Sequence, residues 1–289
     1  MNSEPNRSRV LLALAAVYLS WGSTYLGIKF ALESLPPLFL MGVRFFLFGI
    51  VVYVFLRLRG AQAPGRVEWW WSAVIGTFLM LGGSASVSYA EQWVASGLAA
   101  LVLATTPLWT VLFAGIWGRW PNRLEWTGLV VGLGGVVVLN MSGDLRAHPI
   151  GAVLLVLAAI SWAFGSVWSR RVPLPKGMMA GAAQMITGGA IVMAVGFAMG
   201  ERITALPTWR SVMAVLYLGV VGSLVGFSAY TYLLGRVRPA LATSYAYVNP
   251  VIAVLLGAWL LGERIEGTSV IAMLIILVGV VLVALGQRQ

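Results

Sequence analysis

Asn249 and Pro250 stand side by side in a run that is otherwise almost wholly apolar. A second proline, Pro107, follows Thr105 and Thr106 in a similar run. Proline removes a helical hydrogen bond and crowds the preceding turn, at about 3 kcal/mol in a helix interior. Two such breaks, each beside a polar side chain, suit the freeing of backbone groups for a solute. The plainer reading is that prolines are commoner in membrane helices and only bend them. A matched pair favours the solute-binding reading over the plain one.

Rings and hydroxyls crowd the neighbouring apolar runs: Trp21, Ser23, Tyr25, Ser86, Tyr89, Thr105, Thr106, Trp109, Trp162, Ser166, Trp168, Ser228, Tyr230, Tyr232, Tyr245, Tyr247 and Asn249. Large rings bearing one polar atom stack on aromatic solutes and attract an ammonium group. Hydroxyls and the Asn249 amide can bond amino and carboxylate groups. The residues expected to bind solute are Trp21, Ser23, Arg44, Tyr89, Thr106, Trp109, Trp162, Ser166, Tyr232, Tyr245 and Asn249, with Pro107 and Pro250 as helix breaks. Trp and Tyr also form interfacial belts, and Trp69, Trp70, Trp71, Trp117, Trp120, Trp126, Trp209 and Trp259 read as such anchors. About half of the mid-run aromatics are expected to pack against helices or lipid instead.

Charge inside the apolar runs is scarce. Arg44, in "MGVRFFLFG", costs at least ~2.5 kcal/mol at mid-membrane, so it must face a cavity, find a partner or snorkel. A cavity role would attract a carboxylate; a structural role would bond backbone carbonyls. Both stand at this point. Lys29 and Glu33 have the i,i+4 spacing of a helical ion pair. Glu91 falls near the end of its run, and no run holds an aspartate. No buried acid of the proton-relay kind is evident, so downhill export or exchange is as compatible with the sequence as proton antiport.

Enzyme chemistry lacks its residues. There is no cysteine, and the lone His148 stands beside Pro149 in a polar loop. Paired aspartates, a His/Glu metal set and a Ser–His pair are all missing. No glycine-rich Lys-Ser/Thr loop for ATP occurs. No cofactor or metal is expected. The net charge of +10 raises nucleic acid as a partner, but the cations sit in short turns, not on one face of a soluble domain.

The elements that must position these residues are membrane helices. The chain is 60% hydrophobic and 10% charged, with mean hydropathy +0.91. A water-soluble fold of 289 residues cannot hide that much apolar surface. Ten spans follow, at 10–31, 36–57, 69–91, 97–118, 124–142, 149–170, 177–199, 209–234, 240–261 and 267–286. Each approaches the ~20 residues that cross a ~30 Å hydrocarbon core. The first span is too long for a signal peptide and lacks a cleavage site, so it reads as an uncleaved helix. Spans five and ten are nearly free of polar side chains, as in "GLVVGLGGVVVL" and "VIAMLIILVGVVLVAL", and read as peripheral supports, with a dimer face as the alternative.

Loop charges orient the bundle. One side holds Arg7, Arg9, Arg57, Arg59, Arg66, Arg119, Arg123, Arg170, Arg171, Lys176, Arg236, Arg238 and Arg288; the other holds Arg146, Arg202, Arg210 and Arg264. The bias puts both termini in the cytoplasm.

The chain also repeats itself. Slid by 143 positions, Tyr89–Pro107 lies over Tyr232–Pro250 without a gap, Gly76 falls on Gly219 and Gly83 on Gly226. Ser20-Trp21 meets Ser161-Trp162 with a small offset. Residues 1–143 and 144–289 therefore form two five-helix halves. Five is odd, so the second half enters the membrane from the opposite side. The result is an all-α membrane protein of ten transmembrane helices in two inverted repeats, an architecture of secondary transporters.

Here the residues resemble a family. "SWGSTYLGIKFAL" is similar to the opening, and "ALATSYAYVNPVIAVLLGAWLLGERIEGTSVIAMLIILVGVVLV" to the closing motif, of paired EamA domains in the drug/metabolite transporter superfamily. The aromatic content looks like the bacterial aromatic amino-acid exporter (YddG-type) branch. The chain departs from the pattern at Gly118-Arg119, where the first half should carry Gly-Glu. The resemblance implies an inner-membrane exporter of aromatic or hydrophobic amino acids and related metabolites, working by alternating access as a monomer or weak homodimer in lipid. Broad-specificity efflux by proton antiport and a channel- or scramblase-like facilitator are the rivals. Reporter fusions should place both termini, and the loops around Arg66, Arg119, Arg170 and Arg236, in the cytoplasm. An external C-terminus would refute the ten-span topology.

Overall fold

The computed structural model describes residues 7–94, 99, 102–118, 120–140, 149–261 and 267–286. His148, Arg119 and the Gly262-Glu263 pair lie outside the described residues. Helices occupy all ten expected spans. They are α1 (Arg7–Gly22, continued as Thr24–Ala31), α2 (Pro37–Leu58), α3 (Arg66–Gly76, Thr77–Ala85 and Ser86–Ala90), and α4, which includes Thr106–Ile116. Then come α5 (Arg123–Asn140), α6 (Pro149–Trp168), α7 (Met178–Ala198), α8 (Trp209–Tyr217, Leu218–Phe227 and Ser228–Leu234), α9 (Pro239–Ala242 and Tyr245–Leu261) and α10 (Gly267–Gly286). Among the described residues, six helices are long and apolar enough to cross a membrane and two more are shorter and apolar.

The repeat shows in how helices pair. α2 lies along its counterpart α7, and α5 along its counterpart α10. Each element packing on its own equivalent is what a two-fold axis between the halves produces. Glycine makes the α5–α10 contact close: a Cβ at Gly128 would meet Gly279 O at 2.6 Å, and one at Gly279 would meet Gly132 N at 2.5 Å. Without water to drive helices together, such backbone approach supplies the packing.

Among the described residues, α1, α3 and α8 leave the α-helical path in their middle stretches, each for a visible reason. α1 breaks at Ser23, whose hydroxyl donates to Leu19 O at 2.8 Å and Ser20 O at 3.0 Å, a back-bond that bends helices. The middle segments of α3 and α8, Thr77–Ala85 and Leu218–Phe227, are π-helical. They fall at matching places in the two repeats. A π turn takes in an extra residue and disturbs the carbonyl ladder. Side chains from the other half use those carbonyls: Ser161 Oγ donates to Phe78 O (2.8 Å) and Trp21 Nε1 to Gly222 O (3.0 Å).

At the loops, Glu201 accepts from the first backbone amides of α2, Leu38 N at 3.1 Å and Phe39 N at 2.8 Å. A carboxylate is favoured at a helix N-terminus. Asn122 and Glu125 cap α5 reciprocally, while Asn122 Nδ2 reaches Gly286 O and Arg238 reaches Glu125 at 3.1 Å. This one cluster ties α5, α9 and α10 together. The expected Lys29–Glu33 pair does not form; Glu33 bonds Arg210 at 3.2 Å instead, because the first turn of α8 packs against the end of α1 and carries that guanidinium.

Gly128→Ala should lower stability by about 1–3 kcal/mol, since the new methyl meets backbone that cannot turn away. Gly134→Ala, with open space around it, should be near neutral. Thermal unfolding in detergent compares the two.

Candidate functional site

A central cavity lies between the halves, with a water-accessible volume of about 110 Å³. Its wall draws on α1, α2, α3, α4, α6, α8 and α9. Trp21 is the hub of its aromatic wall. Its ring lies 4.6 Å from Tyr245, 5.0 Å from Tyr230 and 5.4 Å from Trp162, centroid to centroid. The contacts with Tyr245 and Trp162 are edge-on, a favoured geometry of aromatic pairs.

The two tryptophans are placed by the same device used twice. Trp162 packs where a Cβ at Gly83 would come within 2.6 Å of its ring, and Trp21 where a Cβ at Gly226 would come within 2.5 Å of Nε1. Each glycine belongs to the π segment of the opposite half. The sequence alignment of the repeats had paired Gly83 with Gly226 and Trp21 with Trp162; the structure shows each glycine seating the other half's ring.

Below the rings is a fully satisfied polar network. Trp162 Nε1 donates to Tyr230 OH at 3.2 Å. Ser166 Oγ donates to Trp162 O at 2.6 Å, so the 2.6 Å contact between hydroxyls has Tyr230 donating to Ser166. Thus Ser166 holds the ring layer and does not line the cavity.

Arg44 is 4% exposed and faces the cavity. Its Nε donates to Ser223 Oγ at 2.9 Å, its Nη1 lies 3.7 Å from Met41 Sδ, and its guanidinium sits 5.0 Å from the Phe45 ring centre. No acidic side chain among the described residues forms an ion pair with it. Asn249 also lines the cavity, with its Oδ1 buried and without a hydrogen-bond partner.

The two prolines are used differently. Pro107 falls in the first turn of Thr106–Ile116, where a missing N–H costs little. The carbonyl it leaves free, Leu103 O, receives Thr106 Oγ1 at 2.6 Å. Pro250 lies inside the continuous helix Tyr245–Leu261. The break in α9 comes earlier, at Thr243 and Ser244, whose hydroxyls donate to Pro239 O and Leu241 O.

Of the residues expected to bind solute, Trp21, Arg44, Thr106, Trp162, Tyr245 and Asn249 meet at the cavity. Ser23, Tyr89, Trp109, Ser166 and Tyr232 are not among its lining residues. Ser23 accepts from Tyr217 OH in a separate groove, Tyr89 packs on Trp93, and Tyr232 lies under Arg236. Tyr230, on the same helix as Tyr232, is the tyrosine that packs in the ring layer, and it too is not among the cavity's lining residues. The two sit two positions apart and so point away from each other on the helix. Glu91, expected near the end of its run, ends α3 half-buried, with its Oε1 closed off from solvent.

With this geometry in view, the comparisons with known proteins are specific. The EamA-like transporter family model matches residues 8–141 and again 149–285. The chain belongs to that family. It is 47% identical over 276 residues to an Escherichia coli (strain K12) protein named uncharacterized inner membrane transporter YedA, covering 95% of this chain and 90% of that one. It is 24% identical over 306 residues to a probable amino-acid metabolite efflux pump of the same organism, covering 98% and 97%. A crystal structure with 24% identity superposes with a TM-score of 0.80 over 99% of this chain and all of that one, which shows the shared fold. This is a membrane transporter and not an enzyme.

Tyr230→Phe should cost about 1–3 kcal/mol, because Trp162 Nε1 loses its acceptor in a buried site. Thermal unfolding followed by tryptophan fluorescence checks it.

Proposed function

We propose that this chain exports zwitterionic solutes, chiefly aromatic or hydrophobic amino acids and related metabolites, across the bacterial inner membrane. Both termini face the cytoplasm, and the repeats 1–143 and 144–289 rock about the cavity in alternating access. The carrying observation is a buried Arg44 with no carboxylate partner among the described residues, in an aromatic-walled cavity. A guanidinium recognises a carboxylate by charge-assisted hydrogen bonds. Burying it unpaired is costly, so a solute carboxylate offsets a penalty that the empty site bears.

The rings supply the opposite pole. Trp21, Trp162 and Tyr245 offer faces to an ammonium group or an aromatic side chain, and the free Asn249 Oδ1 offers an acceptor to an ammonium. Because Trp21 already contacts its three neighbours, an aromatic solute enters only as those rings part. That links binding to a change of shape, as alternating access requires. The E. coli relative named a probable amino-acid metabolite efflux pump supports the same substrate class.

Two variants test this in liposomes by counterflow with a panel of labelled amino acids. Arg44→Gln should cut counterflow of all carboxylate-bearing solutes by about tenfold or more, as expected for losing a charged hydrogen bond. Trp162→Ala should weaken counterflow of phenylalanine and tryptophan more than of alanine, because stacking area is removed. Equal transport of carboxylate-bearing and carboxylate-free analogues by the wild type would sink the carboxylate reading.

A further inference from the structure

A second recess opens on the side of the bundle, apart from the central cavity. It lies between α1, α8 and α9 and has a water-accessible volume of about 590 Å³. α1 divides the two spaces. Trp21, Thr24, Tyr25 and Ile28 face the cavity, whereas Ser23, Leu26, Gly27 and Phe30 face the groove. No described residue lines both, so the groove is a site of its own.

The groove is apolar along its length. Leu26, Phe30, Met213 and Leu256 supply its walls. Met213 is partly exposed on the outside of the bundle, which in a membrane means exposed to hydrocarbon. The two wall hydroxyls are already engaged: Tyr217 OH donates to Ser23 Oγ at 2.6 Å, and Ser23 Oγ donates to Leu19 O at 2.8 Å. With those polar atoms paired, this stretch suits a hydrocarbon chain. From Arg210 to Tyr217 the groove follows two turns of α8, roughly 10 Å of depth.

One end is charged. Arg210, in the first turn of α8, lines the groove, and its guanidinium lies 4.0 Å from the centre of the Phe30 ring. The cation thus rests on the apolar wall itself. Among the described residues its ion pair is with Glu33, at 3.2 Å, yet its side chain stays 60% exposed. Lys29, also exposed, adds a cation one helical turn before Glu33. Two cations to one acid leave this end positive. Trp209 beside Arg210, and Trp259 near the end of α9, are 76% and 79% exposed, as tryptophans are at the level of lipid headgroups.

A cation at headgroup level, above an apolar slot open to lipid, is complementary to a molecule with one anionic end and a long apolar tail. We propose that this groove is a phospholipid-binding site, with the phosphate on Arg210 and one acyl chain between α1, α8 and α9. The guanidinium carries five N–H donors, so it can hold a phosphate by charge-assisted bonds while Glu33 keeps its contact. The lipid belongs to the membrane face that carries Glu33 and Arg210, the outer one in the topology proposed above. What the central cavity transports has no bearing on this site.

The test is native mass spectrometry of the full chain released from detergent. It is titrated with dioleoylphosphatidylglycerol, with dioleoylglycerol, which lacks the phosphate, and with glycerol phosphate, which lacks the chains. The wild type should hold one phosphatidylglycerol at a concentration about tenfold below that needed for dioleoylglycerol, as a charged hydrogen bond provides. Glycerol phosphate should not bind. Arg210→Gln should bring the two lipids level. Met213→Trp, which fills the groove, should lower binding of both lipids by about fivefold, while Leu274→Trp on the exposed face of α10 should leave it at the wild-type level. Glu33→Gln, which frees Arg210 from its competitor, should raise phosphatidylglycerol binding about twofold, and it decides the matter where Arg210→Gln does not fold. Equal binding of the two lipids by the wild type would overturn the proposal. So would lipid binding unchanged in Met213→Trp, or glycerol phosphate bound as tightly as the lipid, which marks a bare anion site. A dimer that Met213→Trp splits, or phenylalanine displacing the lipid, would give the groove to a second copy or to a solute and overturn the proposal as well.

Discussion

Hydrocarbon offers no hydrogen bonds, so every backbone carbonyl released from a helix must be satisfied by the protein itself. The irregular features of this fold follow that constraint. Where Pro107 frees Leu103 O, the hydroxyl of Thr106 takes it. Where α9 breaks, Thr243 and Ser244 turn their hydroxyls back on the chain. The π segments of α3 and α8 present carbonyls to Ser161 and Trp21 of the opposite halves. In that last case the satisfying groups come from another span, so departure from the α-helical path and the joining of the two halves are one event.

The central site inherits its geometry from that joining. Glycine in each π segment admits a tryptophan from the other half, and the two rings meet over Tyr230 and Ser166. The network beneath them is complete, whereas Arg44 and Asn249 each retain unused capacity toward the cavity. Saturated polar groups hold the walls; unsaturated ones face the cavity. Placing full and open valences on opposite sides of a single ring layer separates support from recognition.

Much of this was readable from residue types. Long apolar runs bounded by charged turns marked the ten spans, because lipid demands them. The 143-residue shift exposed the halves, since Gly76, Gly83, Tyr89 and Pro107 each found a partner. Helix face was harder to read. Tyr230 and Tyr232 are chemically identical, and only packing decides that the first is buried and the second lies under Arg236. Likewise Trp109 and Trp162 are equal in composition but unequal in place. The π segments left no sequence mark, because glycine-rich apolar stretches suit close α-helical packing as well as a widened turn. Glu91 hid for a related reason: near a span end an acid is usually solvated, and the burial of its Oε1 comes from tertiary packing.

The unequal handling of the two prolines has a consequence for motion. In one repeat the helix restarts at Thr106 and Pro107 sits in its first turn; in the other an unbroken helix runs through Pro250. Two units of common ancestry and topology thus hold different shapes at one moment. If each adopted the other's shape, the molecule would be turned over, with its mouth on the opposite side and no new contact type required. Equivalent positions in the two repeats thus differ in backbone shape, and the molecule departs from strict two-fold symmetry at Pro107 and Pro250.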